Sequence, residues 1–181
     1  VPKGEINTPE TEQAIRTYNP DVIVVYGTSL LKNNIIDICP GKIINMHLGL
    51  SPYYRGSGTN FWPLHNEEPE YVGVTIHTID PGIDTGTIIH QGRPEITHED
   101  NQHTIGNKTI EVGATLLVLT LGEVEKGKLK VHPQTEKGKL YQRKDFSTDN
   151  IQHLKDLMEG GLIEKYLQRK EEVWNRVKLI S

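Results

Sequence analysis

Val22 to Tyr26 reads VIVVY, a continuous run of apolar and mostly β-branched residues. A run of that length with no polar break predicts a strand buried on both faces. Lys42 to Met46, KIINM, predicts a second buried strand. Val72 to Ile79 alternates well enough for a third, and Thr87 to Pro94 for its neighbour. The link between those two, DPGIDTG, is dense in turn-forming residues.

Helical patterns fill most of the remaining chain. Thr8 to Tyr18 predicts a helix with Thr8 as N-cap and Pro9 at its first position. Glu10 and Glu12 place negative charge in the first turn, where the helix dipole favours it. Thr11, three residues after the cap, is neither Glu nor Gln, so no full capping box is expected. Leu30 to Cys39 predicts a short helix stopped before Pro40, and Thr59 to Asn66 another. Ile105, Ile110, Val112, Leu116, Leu117, Leu119 and Leu121 fit a long helix from Asn101 to Lys126, although glycines inside it weaken its propensity. Beyond it the pattern predicts a strand over Lys128 to Val131, a loop through Lys144, and helices over Asp149 to Met158 and Leu162 to Gln168.

Alternating strands and helices predict an α/β fold: an open, mostly parallel Rossmann-like sheet flanked by helices. Such a sheet needs strands on both sides of its switch point. This chain enters with one helix and then a central strand, so N-terminal βα units are expected to be missing from it. Residues 1–126 are expected to form the catalytic domain and residues 127–181 a helical extension packing on it.

Composition narrows the function. The chain has 181 residues, 35% of them apolar and 24% charged. Its longest apolar run, Ala114 to Leu121, is interrupted by Thr115 and Thr120, so no membrane span is expected. The first ten residues, VPKGEINTPE, lack the apolar core of a signal peptide, and a cytoplasmic location is expected. Net charge is -4 and no basic run exceeds two residues, which argues against a large nucleic-acid footprint. The single cysteine, Cys39, rules out an internal disulfide and is expected to be a buried filler. The eight histidines show no metal-ligand frame, so no metal is expected.

Two features carry chemistry. Asn45 and His47 alternate with Ile44 and Met46 at the carboxyl end of a buried strand, which puts both polar side chains on one face. Ligand sites of open α/β sheets gather at that end. Further on, His77 nears the end of its strand, and a turn then presents Asp80 and Asp84 before Thr85 and Gly86. Pro81 and Gly82 fix a tight path there. Each polar residue alone could simply satisfy a turn.

Together, NMHLGLSPYYRGSG and GVTIHTIDPGIDTGTII resemble the folate-dependent formyltransferase superfamily. Its Asn-x-His-x-x-x-x-Pro signature is met by Asn45, His47 and Pro52. Its strand His, followed seven residues later by Asp and then by a small residue and Gly, is met by His77, Asp84 and Gly86. The likeness covers about Asp21 to Gly122. The tail GKLYQRKDF, followed by LIEKYL, looks most like the branch that modifies nucleotide sugars.

The resemblance implies formyl transfer from 10-formyltetrahydrofolate to an amine, with Asn45, His47 and Asp84 catalytic. Asn45 would hold the formyl oxygen as negative charge develops on it. His47, a group whose unperturbed pKa is roughly 6.5, would move protons near neutrality. Asp84 would orient or charge-stabilise that imidazole, or relay protons through water. The resemblance places the donor against Tyr26, Gly27, Thr28, Ser29, Leu30 and Leu31 on one side, and Ile79, Asp80 and Gly82 on the other. Tyr54, Arg55 and His77 are expected beside the acceptor. An amino sugar on a nucleotide is the favoured acceptor, with a homodimer compatible. Phosphoribosylglycinamide, methionyl-tRNA and water (a deformylase) stay open, as do a non-catalytic folate-binding module and a metal hydrolase built on His47, His77 and Asp84.

Overall fold

The computed structural model describes residues 1–2 and 4–180. Helix α1 (Pro9–Tyr18) begins where expected: the Thr8 hydroxyl accepts from the Thr11 N–H, and Asn19 closes the helix in a left-handed conformation. Strands β1 (Ile23–Val25) and β2 (Ile43–His47) follow, separated by the one-turn helix α2 (Asn33–Ile36). Next come β3 (Tyr54–Gly56), α3 (Phe61–His65), β4 (Val74–Thr78), β5 (Ile88–Gly92) and the long helix α4 (Gln102–Glu125). Strand β6 (Lys139–Tyr141) and helices α5 (Thr148–Glu159) and α6 (Leu162–Trp174) complete the chain.

Among the described residues the main sheet has four strands in the order β1-β2-β4-β5. It is mixed rather than mostly parallel: β1 and β2 run parallel, while β2–β4 and β4–β5 are antiparallel. The reason lies in the link from β4 to β5. It holds only turn residues, whereas a parallel return needs a crossover of a dozen or more. Three apolar layers support the sheet. Ile44, Met46, Val74, Ile76 and Ile89 pack against Val112, Leu116 and Leu117 of α4. Ile35, Ile36, Cys39 and Ile43 fill the space around α1 and α2, so Cys39 is a buried filler. Leu64, Val72 and Ile105 join Leu154, Leu162, Ile163 and Tyr166 of α5 and α6.

Two local expectations fail. No strand forms over Lys128 to Val131; instead His132 exchanges backbone hydrogen bonds with Ile88 at 2.7 and 2.8 Å. The loop expected through Lys144 contains β6, which pairs with β3 in a second, two-stranded sheet. Both β3 and β6 are three residues long, too short for an alternation pattern to register.

Candidate active site

Asn45 and His77 face each other directly in the β2–β4 register. Opposed residues of an antiparallel pair have neighbouring side chains on one face. The Asn45 Nδ2 and His77 Nε2 atoms accordingly lie 3.1 Å apart. His47, two residues on, projects from the same face of β2. Its Nε2 lies 3.0 Å from the Tyr54 carbonyl oxygen. Close approach at this point needs Gly49, because a Cβ there would come within 2.6 Å of both His47 and Thr59.

Asp84 arrives from the β4–β5 turn and stands between the two imidazoles. Its Oδ2 is 3.5 Å from His47 Nδ1 and its Oδ1 is 3.5 Å from His77 Nε2. The turn is tight: Asp84 has φ +50°, and a Cβ on Gly86 would overlap the Thr78 carbonyl oxygen at 1.6 Å. Asp80 stays in the turn itself, its Oδ1 accepting from the Gly82 N–H at 3.0 Å and the Thr85 hydroxyl at 2.6 Å.

The backbone partners assign the protons. A carbonyl oxygen can only accept, so His47 Nε2 carries a hydrogen toward Tyr54. His77 Nδ1 likewise donates to the Thr78 carbonyl at 2.7 Å. In neutral rings this leaves His47 Nδ1 and His77 Nε2 as lone pairs facing the Asp84 carboxylate, with the Asn45 amide as donor among them. Burial pushes His47 below its ordinary value, against the pull of Asp84. Burial also opposes ionisation of Asp84, yet its neighbours His77 and His47 and the Gly56 N–H hold its carboxyl down at about 2. At neutral pH the Asp84 carboxylate therefore stands beside a His47 ring able to take a proton.

A cleft of ≈ 560 Å³ opens onto this cluster. Tyr26, Gly27, Thr28, Ser29, Leu30 and Leu31 form one wall, and Ile79, Asp80, Gly82 and Asp84 the other. Asn45, His47 and His77 lie at its base. Leu31 is buried, whereas Tyr26 and Leu30 keep 49% and 59% of their surface exposed beside it. The third wall, Gly56 to Phe61, overlaps the end of the YYRGSG turn and went unrecognised as a wall in the sequence; Ile83 also lines the cleft, within the 79–84 stretch that the resemblance sets beside the donor.

Tyr54 and Arg55, expected beside the acceptor, do not line the cleft. Tyr54 is buried, and its hydroxyl donates to Glu68 while accepting from Asn66 at 3.0 Å. The Arg55 guanidinium reaches the carbonyls of Ile83 and Gly138, each at 3.4 Å. Strand alternation explains both: β3 pairs with β6 and sends Tyr54 under the sheet edge, where its ring stacks on Tyr141 at 5.7 Å. Only the Tyr54 carbonyl serves the site. Among the described residues, no three His, Cys, Asp or Glu side chains are grouped to hold a metal ion. No described helix is long and apolar enough to cross a membrane.

This α/β sheet gathers an amide donor, two imidazoles and a carboxylate at the base of one open cleft, groups able to hold and move protons. The chain belongs to the formyl transferase family, whose profile matches residues 2–121. A methionyl-tRNA formyltransferase of Kosmotoga olearia is 36% identical over 148 residues, covering 81% of this chain and 47% of the relative. The crystal structure of the formyltransferase PseJ from Anoxybacillus kamchatkensis, in complex with a UDP-linked formamido sugar and tetrahydrofolate, superposes with a TM-score of 0.64 at 30% identity. That match covers 70% of this chain and 67% of PseJ. Phosphoribosylglycinamide formyltransferase from Bacillus halodurans gives a TM-score of 0.54 at 30% identity, over 59% of this chain and 55% of that one. The chain spans about half the length of the curated relatives it matches.

Proposed function

We propose that this chain carries the site for formyl transfer from 10-formyltetrahydrofolate to a primary amine, with an amino sugar on a nucleotide as acceptor. The observation that carries the reading is the grouping of Asn45, His47, His77 and Asp84, with one amide donor among proton acceptors. An attacking amine brings protons that must be removed, and a formyl oxygen gains negative charge that needs a donor. The site supplies both.

The cleft fits a folate. Its volume suits a ligand of that size. The half-exposed Tyr26 and Leu30 offer an apolar face for a flat ring, and loop backbone groups can read its polar edge. When bound, 10-formyltetrahydrofolate supplies the formyl group. Asn45 Nδ2 is the donor for the formyl oxygen, an effect typically worth about 3 kcal/mol. His47 Nδ1 takes the proton that leaves the amine, and Asp84, 3.5 Å away, balances the resulting imidazolium. The proton then passes to the departing nitrogen of the donor.

The sugar acceptor is supported by the PseJ structure, which holds a UDP-linked formamido sugar together with tetrahydrofolate and matches 70% of this chain. A second reading, methionyl-tRNA as acceptor, is favoured by the Kosmotoga olearia relative of that name. The test is an acceptor panel of amino-sugar nucleotides, phosphoribosylglycinamide and methionyl-tRNA, each incubated with 10-formyltetrahydrofolate and protein. A mass gain of one formyl group on a sugar nucleotide is expected. A product only on methionyl-tRNA overturns the acceptor, and release of formate alone overturns transfer itself.

A further inference from the structure

Outside the motifs, one side chain reaches the catalytic turn from far along the sequence. Gln134 lies in the segment between α4 and β6, and its Nε2 donates to the Asp84 carbonyl at 3.0 Å and to the Gly86 carbonyl at 2.7 Å. An amide nitrogen has two protons, so both are committed here. Its Oε1 is buried without a partner. Turning the amide over would set that oxygen against two carbonyl oxygens, so the geometry admits one orientation.

Those two carbonyls bracket Thr85 and belong to the part of the turn that aims the Asp84 carboxylate. The neighbouring part is held separately, by Asp80 Oδ1 on the Gly82 N–H and the Thr85 hydroxyl. The segment bearing Gln134 is itself anchored at both ends. His132 is hydrogen-bonded to Ile88, and the Lys139 N–H donates to the Tyr53 carbonyl at 2.9 Å.

We propose that Gln134 is a positioning residue: by clamping the carbonyls of Asp84 and Gly86 it holds the Asp84 carboxylate in place between His47 and His77. Its effect on rate rests on the formyl-transfer reading, whereas its effect on the imidazole does not. Three ionisable groups act on the His47 ring: Asp84 raises its proton affinity, while His77 and Arg55 lower it. Loosening Asp84 alone therefore lowers the His47 pKa.

The experiment compares Gln134→Met, which keeps the length and loses both donors, with the intact wild-type protein. The His47 ring is titrated by NMR, and kcat and KM for 10-formyltetrahydrofolate are measured alongside thermal midpoints. Gln134→Asn replaces the Met variant if the latter loses its cooperative transition. The His47 midpoint is expected to fall by about half a pH unit or more. A loss of kcat of about 10- to 100-fold is expected, because small displacements of a positioned group are costly. KM for the donor should stay within about twofold, because the Asp80 side of the turn is held independently. An unmoved His47 midpoint overturns the proposal. A shifted midpoint in a protein whose wild type formylates no amine sustains the clamp and overturns the functional reading instead.

Discussion

The Asp84 carboxylate is bonded to the backbone of a different loop: its Oδ2 accepts the Gly56 N–H at 2.8 Å. Gly56 closes β3, and the next residue, Ser57, donates its N–H to the Tyr141 carbonyl of β6 at 2.9 Å. The carboxylate between the two imidazoles, carried on a left-handed backbone, is therefore fixed by a tertiary contact as well as by its own turn. A non-glycine residue pays roughly 1–2 kcal/mol for that backbone. What the contacts secure is a charge oriented before any substrate arrives, which is where electrostatic catalysis gains its advantage.

Replacing Asp84 with Asn keeps the shape, and its remaining oxygen can still accept the Gly56 N–H. Only the charge facing His47 is lost. We expect kcat to fall about 10²–10⁴-fold with the affinity for a stable folate analogue little changed. A linked effect appears in acid. Because Asp84 titrates at about 2 in the fold against 3.8 for the free group, its charge stabilises the native state above pH 3.8. That contribution, about 2 kcal/mol, is lost as pH falls toward 2. Urea unfolding at pH 6 and pH 3 should show less acid sensitivity in the Asn variant. Unchanged turnover would remove Asp84 from its role.

The His47 ring predicts a pH profile. Burial lowers its pKa from 6.5, so the ring is neutral and able to take a proton at pH 7. The rate should be level through neutrality and fall on the acid side with an apparent pKa below 6.5. His47→Gln should abolish that limb along with about 10²–10⁴ of the rate. The sign for stability is the same: with the folded value depressed, the contribution is present above the unfolded pKa and lost as pH falls. A limb centred above 6.5 would contradict this assignment.

The parts of this site legible in the sequence are those that local periodicity controls. Asn45 and His47 share a face because a strand alternates, and nothing distant alters that. His77 opposite Asn45 required a register, and register depends on which strands pair. The parallel arrangement expected from the strand–helix alternation would have placed His77 elsewhere. That Tyr54 lies outside the cleft was not legible for a related reason: YYRGSG looks like a turn, and its outward side could not be distinguished from its inward side without knowing that β6 pairs with β3. Gln134 gave no signal, because its partners are backbone carbonyls 48 and 50 residues away. The stretches 26–31 and 79–84 line one cleft, and the third wall, Gly56 to Phe61, joins them through tertiary contacts such as the Gly56 N–H on Asp84.

Asn45 Nδ2 lies 3.1 Å from His77 Nε2, and the proposed function gives it a second partner, the formyl oxygen. Asn45→Ala removes the donor for the formyl oxygen, and kcat should fall about 10²–10³-fold. The affinity for a folate analogue should change far less, because the interaction strengthens only as charge develops. Asn45→Asp leaves a second carboxylate near Asp84 and should be at least as inactive. Single-turnover kinetics at saturating donor check both. A rise in KM with kcat preserved would assign Asn45 to ground-state binding instead.

Leu30 provides the opposite test, a residue that the proposed function has bind the donor without taking part in the chemistry. It is 59% exposed at the cleft mouth, beside the half-exposed Tyr26 and opposite Ile83, itself 39% exposed. Apolar surface left open beside a cleft is the kind that a flat ligand covers. Covering one such side chain contributes roughly 1 kcal/mol at about 25 cal/mol per Å². Leu30→Ala should therefore raise the Kd for a stable folate analogue about fivefold and leave kcat at saturating donor unchanged. Stability should hardly move, because the side chain packs little in the free protein. Calorimetric titration together with saturating kinetics separates the two effects. Unaltered analogue affinity would show that the pterin does not lie against the 26–31 loop, and the donor would have to be placed along the Gly56–Phe61 wall instead.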